Sequence, residues 1–397
     1  MIAMAFKILF WASVACLFYA YAGYPLLLFF YTSMLQMVRD LRFIITRRER
    51  RAMIIEDELP TVSLVVAAYN EADVIADKIE NALAIDYPRE KLEIIIASDG
   101  STDATNEIAA SYANRGVRLM AYAERRGKVS VINRTVPQAA HDIVVLSDAT
   151  TMYEAAAIKN AVKHFRGDKV GVVVGEVILE SVTEEYKGES HYWRYEVMIK
   201  FMENRLGAVV GASGALCALR KELFEPVPDS TIIDDFVIPL KIAEKGYRQV
   251  YAPEARVVET TAADVQAELV RRKRIAAGDF QSIFLLWRLL NPLRGYIALA
   301  FISHKIMRWS APFFMAGALV ANAALVRIYP YSVLFALQVL FYGSAWAGWR
   351  ARRRWVRKLC SLQYYFVSMN IGLAQGFFNF VRGKQAVTWG KTHRAGE

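Results

Sequence analysis

The sequence predicts an α/β protein with a Rossmann-like, mostly parallel sheet, one transmembrane helix before it and two or three after it. Three observations carry that expectation. Short β-branched runs alternate with stretches of helical spacing from Pro60 onward, as in parallel, doubly wound sheets. Residues 8–38 hold no charged side chain, enough chain to cross a bilayer and too much for a signal-peptide core. Two more apolar spans, Ala311 to Val326 and Tyr331 to Trp349, are separated by a short break at Arg327 to Pro330. The expected divisions are a membrane helix over 1–39, a soluble domain over 40–290 and a membrane region over 291–397.

Taken in order, the first span has Lys7 before it and Arg39, Arg42, Arg47, Arg48, Arg50 and Arg51 after it. The positive-inside rule then puts the amino terminus outside and the soluble domain in the cytoplasm. Val62 to Ala67 reads as a strand followed by the loop Tyr69-Asn70-Glu71, and Ala72 to Ile85 as a helix ending at Tyr87-Pro88. Leu92 to Ala97 is a second strand that ends in Ser98-Asp99-Gly100-Ser101, where Gly100 permits a tight turn and Ser101, Thr102 or Asp103 can cap the next helix. Val117 to Tyr122 is a third strand, followed by the basic loop Glu124-Arg125-Arg126-Gly127-Lys128 and a helix with Asn133. Ile143-Val144-Val145-Leu146 is a buried strand that stops at Ser147-Asp148. Two strands therefore end in an acid, at the sheet edge where α/β proteins bind ligands. A carboxylate there holds a hard cation or bonds a ribose; the alternative is a helix cap. There is no glycine-rich phosphate loop and no GxGxxG after the first strand, which argues against a P-loop NTPase and a standard dinucleotide fold.

The second half is less regular. Val170 to Val177 is a strand, and Glu189 to Phe201, with Trp193, is an aromatic helix. Gly211-Ala212-Ser213-Gly214 is a turn suited to close backbone approach to a ligand. Asp234 and Asp235 are adjacent acids between apolar flanks. Burial raises at least one such pKa, as a general base requires, while an acidic helix start explains the pair equally well. Arg271-Arg272-Lys273-Arg274 either snorkels to anionic lipid or holds a diphosphate, and Phe280 to Leu290 has the pattern of an interfacial helix. For the apolar stretch Leu359 to Val381 two rules conflict. Crossing would put the basic tail Arg382 to Arg394 outside, so an interfacial or re-entrant course stays open beside a third span.

The net charge of +10 falls into clusters, two of them flanking apolar spans, with no basic stripe interleaved with aromatics. This argues against nucleic acid as a partner and for a lipid bilayer. The three cysteines, Cys16, Cys217 and Cys360, are far apart and imply neither a disulfide framework nor a metal cluster.

The ordered series Tyr69-Asn70-Glu71, Ser98-Asp99-Gly100-Ser101, Arg126-Gly127-Lys128, Ser147-Asp148-Ala149-Thr150, Asp234-Asp235 and Arg271 to Ile275 resembles family 2 glycosyltransferases, the inverting GT-A enzymes that include cellulose and hyaluronan synthases. The resemblance covers about Pro60 to Leu290 and the membrane layout. It implies a nucleotide-binding first loop at Ala67, Tyr69 and Glu71, uracil recognition by Asp99, and a basic loop at Arg126 and Lys128. It implies Mg²⁺ or Mn²⁺ on Asp148, the first acid of a DxD motif, with Thr150 in the place of the second acid. Gly211, Ser213 and Gly214 fall in the acceptor-side loop, Trp193 in the acceptor region, and Asp235, beside Asp234, at the catalytic base. Arg271 and Arg274 occupy the first and fourth places of a QxxRW motif near the diphosphate and acceptor channel. The sequence departs from the family at Thr150, Arg271 and Ile275; Ile275 replaces a tryptophan that contacts acceptor sugar in processive synthases.

The implied function is sugar transfer from a nucleotide-sugar, UDP-linked by resemblance, to a glycan or lipid-linked glycan in exopolysaccharide or cell-envelope polysaccharide synthesis at the inner membrane. Export or assembly proteins are implied as partners. The alternatives are monosaccharide transfer to polyprenyl phosphate and a non-catalytic membrane scaffold.

Overall fold

The computed structural model describes residues 1–46, 59–167, 169–180, 187–212, 214–260, 265–351 and 353–383. The arginines at 47, 48, 50 and 51, Ser213 and the tail beyond Gly383 lie outside them. Helices α1 (Ile2–Phe18) and α2 (Tyr24–Thr46) are joined through a π-helical turn at Tyr19–Gly23. The soluble region then runs β1 (Val62–Ala68), α3 (Ile75–Leu83), β2 (Leu92–Asp99), α4 (Thr105–Ser111), β3 (Val117–Tyr122), α5 (Lys128–Thr135), β4 (Ile143–Asp148), β5 (Met152–Tyr153), α6 (Ala157–Val162), β6 (Val170–Glu180), α7 (Lys187–Leu206), β7 (Cys217–Arg220), α8 (Asp234–Glu244), β8 (Arg248–Thr260) and α9 (Val265–Leu285). After it come α10 (Tyr296–Ala300), a π-helical turn at Phe301–Ile306, α11 (Met307–Trp309), α12 (Ala311–Ala324), α13 (Tyr331–Arg350) and α14 (Arg354–Val381).

The eight strands form one sheet in the order β3-β2-β1-β4-β7-β6-β8-β5. Strands β3, β2, β1 and β4 are parallel, as the βα alternation predicts. The sheet is nevertheless mixed: β7 is antiparallel to both β4 and β6, and β5 to β8. The cause lies in the connection. The chain leaves α7 and passes through the glycine turn at the carboxyl edge of β4, where Cys217 pairs with Leu146, so β7 runs back down the sheet antiparallel to β4.

Every residue of β1 is buried, because helices cover both faces. Alternate side chains divide between two cores. Leu64, Val66, Ile94 and Ile96 pack with Ile75 and Ile79 of α3. Val65, Ile95 and Val144 pack with Val131 and Ile132 of α5 and with Val237 and Leu240 of α8. Each such side chain stabilises the fold by about 1.5–3 kcal/mol when fully buried. The result is a rigid frame that holds the carboxyl tips of β1, β2 and β4 side by side.

Among the described residues two helical segments are long and apolar enough to cross a membrane, Ile2–Arg42 and Tyr331–Arg350; Ala311–Ala324 is apolar but shorter. Ile8, Leu27, Phe30, Leu337 and Leu340 are exposed on them, as lipid-facing positions are. Helix α1 packs on α12 and α13, with Phe10 edge-on to Tyr331 at 5.5 Å and Trp11 Nε1 donating to Tyr331 Oη at 3.1 Å. Helix α14 lies along α9, where the Phe280 and Phe377 rings meet at 5.0 Å.

Candidate active site

The parallel register sets Ala67 of β1 beside Ala97 of β2 and Asp148 of β4, a small residue between the two acidic tips. The loops beyond are tied together. Asn70, at φ 52°, receives the Thr102 N–H on Oδ1 at 2.8 Å, and its own N–H reaches Ser101 Oγ at 3.1 Å. The Glu71 N–H donates to Thr105 Oγ1 at 2.9 Å. Asp103 accepts the N–H groups of Thr105 (3.0 Å) and Ala72 (3.2 Å); the N-cap position of α4 is Ala104, and of the three proposed caps Asp103 is the one whose side chain meets an N–H of that helix. The Arg125 guanidinium stacks 3.8 Å from the Tyr69 ring centre.

Asp99 is buried, and its carboxylate accepts two backbone amides, from Arg126 at 2.8 Å and Gly127 at 2.7 Å. It thereby fixes the basic loop over the strand tips and the start of α5. Gly100, at φ +67°, leaves room for that loop: a Cβ there lies 2.7 Å from the Arg125 nitrogen. Arg126 pairs with Glu124 at 2.7 Å, both exposed, a contact of little energetic weight.

Lys128, the first residue of α5, turns inward. Its Nζ stands 2.5 Å from Asp148 Oδ1 and 3.6 Å from Asp234 Oδ2. Gly214 closes the cluster. Its N–H donates to Asp235 Oδ2 at 3.2 Å, and a Cβ there lies 2.9 Å from Lys128 Nζ and 3.1 Å from Asp148 Oδ2. Three acids and one ammonium from β4, α5 and α8 thus form one cluster. Burial alone would lower the Lys128 pKa, but Asp148, Asp234 and Asp235 override it and hold the amine charged. Burial, then repulsion from Asp234, pushes Asp235 up to about 6, against the opposing pull of Lys128 and the Gly214 amide. The acid pair also opens α8, so the helix-start reading and the buried-acid reading of Asp234-Asp235 both hold.

Gly211 has φ +137°, and a Cβ there lies 3.6 Å from Lys305 Nζ; its carbonyl accepts from Gln249 Nε2 at 3.3 Å. Trp193 falls on α7. Arg271 is exposed on α9, and Arg274 Nη1 makes a long hydrogen bond of 3.4 Å to the Ile232 carbonyl, two residues before the acid pair. Thr150 is half-buried just beyond Asp148. Among the described residues no three His, Cys, Asp or Glu side chains gather as a metal site.

Two neighbours escaped the sequence reading. Lys78 is fully buried beneath the turn after β4. Its Nζ donates to the Thr151 carbonyl at 2.5 Å and stands 4.2 Å from the Tyr153 ring centre, and burial pushes its pKa down to about 7, partly offset by Asp148. The signal was its place on the apolar face of α3 with Ile75, Ile79 and Ala82. Asp279 of α9 is pushed up to about 8, first by burial and further by Asp235, with Lys305 opposing; nothing in its sequence surroundings marks it.

Fold and site together define a glycosyltransferase. Residues 60–278 match the family described as "Glycosyltransferase like family 2", more than half of the chain, and the chain belongs to that family. The sequence is 32% identical over 207 residues to the poly-beta-1,6-N-acetyl-D-glucosamine synthase of Staphylococcus aureus strain MSSA476, covering 50% of each chain. It is 26% identical over 224 residues to the enzyme of the same description from Staphylococcus epidermidis, covering 54% of each. The chain thus spans about half the length of these relatives. Among solved structures, the mannosyltransferase PcManGT from Pyrobaculum calidifontis, in complex with GDP-Man and Mn²⁺, superposes with a TM-score of 0.65 over 92% of this chain and 99% of that one, at 24% identity. That likeness establishes the GT-A fold.

Proposed function

We propose that this chain is an inverting, membrane-bound transferase that moves a sugar from a nucleotide-sugar, with UDP as the nucleotide, to a glycan or lipid-linked glycan in the synthesis of a cell-surface polysaccharide. The observation that carries the reading is the acid pair at the start of α8 set against the Asp148–Lys128 pair at the tip of β4. The amino-sugar polymer named for the staphylococcal relatives supports the polysaccharide assignment. The apolar helices, with basic residues after the first, support an inner-membrane location with the catalytic domain on the cytoplasmic side.

In this mechanism Asp235 accepts the proton of an acceptor hydroxyl, whose oxygen attacks the anomeric carbon of the donor. The glycosidic C–O bond forms as the bond to the diphosphate breaks, and the nucleoside diphosphate leaves with the electron pair. A base with a pKa near 6 is largely ionised at neutral pH yet still able to take a proton. Ala67, Tyr69 and Glu71 line the nucleotide pocket, with Asp99 holding the backbone of Arg126 and Gly127 beside it and Lys128 next in the chain. Arg271 serves the diphosphate, and Gly211, Ser213, Gly214 and Trp193 serve the acceptor side.

The donor set fits a Mg²⁺ or Mn²⁺ ion that arrives with its substrate. The Asp148 side chain is 35% exposed, the Thr150 hydroxyl lies two residues on, and a hard cation held by one carboxylate would take its other oxygens from phosphate and water. Such a cation, when bound, would neutralise charge on the leaving diphosphate; the chain's own contribution is to present Asp148 and the Lys128 ammonium there.

The test is Asp235→Asn, assayed with a panel of UDP-sugars and mass analysis of the products. Transfer should fall by about 10²- to 10⁴-fold with nucleotide binding retained. Full transfer by this variant would remove Asp235 from the mechanism.

A further inference from the structure

The acid pair is preceded by a segment, 226–233, with no regular secondary structure, although Thr231, Ile232 and Ile233 are buried. Buried backbone groups need partners, so it matters where those of 230–233 go. The Thr231 N–H donates to the Pro228 carbonyl at 2.8 Å, and the Ile233 carbonyl accepts the first helical N–H groups of α8, from Phe236 and Val237. Those of Ile232 and the Ser230 carbonyl are met by α9. Gln281 Oε1 accepts the Ile232 N–H at 2.9 Å, and Gln281 Nε2 donates to the Ser230 carbonyl at 2.8 Å. Arg274 adds its long bond to the Ile232 carbonyl.

Between them Gly278 lets the helix approach: a Cβ at that position lies 2.8 Å from Ile233 Cγ2 and 3.1 Å from Ile232 Cβ. Positions 274, 278 and 281 follow the i, i+4, i+7 spacing of one helix face. That face is fitted to the backbone from which Asp234 and Asp235 project. The neighbouring face, through Arg272, Ala276 and Phe280, is the one packed on α14.

We infer that Gln281 is a positioning residue of the transfer reaction: its side-chain amide clamps Ser230 and Ile232 and so fixes where the catalytic acid pair stands relative to Gly214 and Lys128. The inference rests on the assignment of Asp235 as the base. A single amide that both donates and accepts across one residue imitates a strand partner, and it holds the peptide plane just ahead of the acids in register. A displacement of about 1 Å at such a place costs on the order of 100-fold in rate. Such a shift reaches the 3.2 Å bond from the Gly214 N–H to Asp235, which favours the ionised acid.

The test uses the full chain in membranes, with release of UDP from the UDP-sugar that the product panel selects. Gln281→Met keeps the length and volume of the side chain and removes both hydrogen bonds. The expected result is a kcat lower by about 10- to 100-fold, a donor KM within about twofold of the parent, and an acid limb of the kcat profile displaced to higher pH as the Gly214 bond weakens. A residue that only fills space would leave all three unchanged. If Gln281→Met does not accumulate as folded protein, Gln281→Asn, polar but one methylene too short to reach, carries the same expectation. A parental kcat and pH profile in the folded variant, with Asp235→Asn inactive alongside, overturns the clamp and leaves the base standing. An active Asp235→Asn overturns the base itself, whatever Gln281 does.

Discussion

Lys128 is the residue on which the electrostatics of the cleft turn. Its ammonium is the one cation bonded to both Asp148 and Asp234 among the described residues, and it holds the Asp235 pKa below where burial and Asp234 would otherwise set it. The sign of its removal follows. In the proposed mechanism transfer needs ionised Asp235, so the rate should rise as pH passes up through its pKa of about 6. Lys128→Met removes a stabiliser of the ionised form, raises that pKa and moves the acid limb upward; each unit of displacement costs about tenfold in rate on the acid side. A kcat profile between pH 5 and 9 on saturating donor checks it, and an unmoved limb would show that Lys128 does not set the acid's charge. At this scale the sequence was readable where a residue type has few uses. An acid at the end of an apolar strand announces the sheet edge, and an adjacent acid pair announces a shifted pKa. It was unreadable where the partner is backbone. Nothing local says that Asp99 spends both oxygens on the Arg126 and Gly127 amides, or that Lys78 is buried under a Thr151 carbonyl.

Strands β1 and β4 followed their patterns because their apolar runs are buried on both faces and carry no charge before Asp148. The second half was harder for a physical reason. Strand β8 spans Arg248–Thr260 but is interrupted by Glu254 and Arg256. Glu254 turns outward to Lys163 at 2.7 Å and His164 at 3.0 Å, and the register with β6 shifts between Gly175 and Glu176, so neither an apolar run nor a clean alternation survives. Strand β7 has four residues, too few to show a period. The α9–α14 pair is legible only in three dimensions, and it yields an element-level expectation. A Cβ on Gly376 lies 2.4 Å from the Ala276 Cβ, whereas Gly372, one turn earlier on α14, has nothing within 4 Å. Gly376→Ala should therefore destabilise by about 1–3 kcal/mol through overpacking, and Gly372→Ala should be neutral or stabilise by up to about 1 kcal/mol through helix propensity. Thermal midpoints of the two variants in the same detergent test the contrast; equal shifts would mean that the close seat of α14 on α9 is not part of the stable fold.

Across the whole molecule, the sheet and the apolar helices are joined by a buried polar network as well as by packing. Glu203 of α7 accepts from Tyr24 Oη of α2 at 3.0 Å and pairs with His304 Nδ1 at 2.8 Å. The other imidazole nitrogen meets Glu196 Oε2 at 3.1 Å, and Glu196 also pairs with Arg308 and Lys305. The second oxygen of Glu203 receives the Val210 N–H at 3.1 Å, at the head of the turn that ends in Gly214. One carboxylate thus touches the N-terminal apolar helix, the π-helical turn and the loop bordering the acid cluster. Removing His304 costs more than its contacts contribute, because Glu203 stays fully buried with only the Tyr24 hydroxyl and the Val210 N–H described as its partners. His304→Ala is expected to destabilise the protein by about 3–5 kcal/mol, and the Val210–Gly214 turn, with one end tied to Glu203 and the other to Asp235, should carry that loss into the cleft. Thermal unfolding and transfer assays on the same preparation check both halves: a variant with unchanged midpoint and rate would show that the soluble sheet and the apolar helices fold and work without this joint.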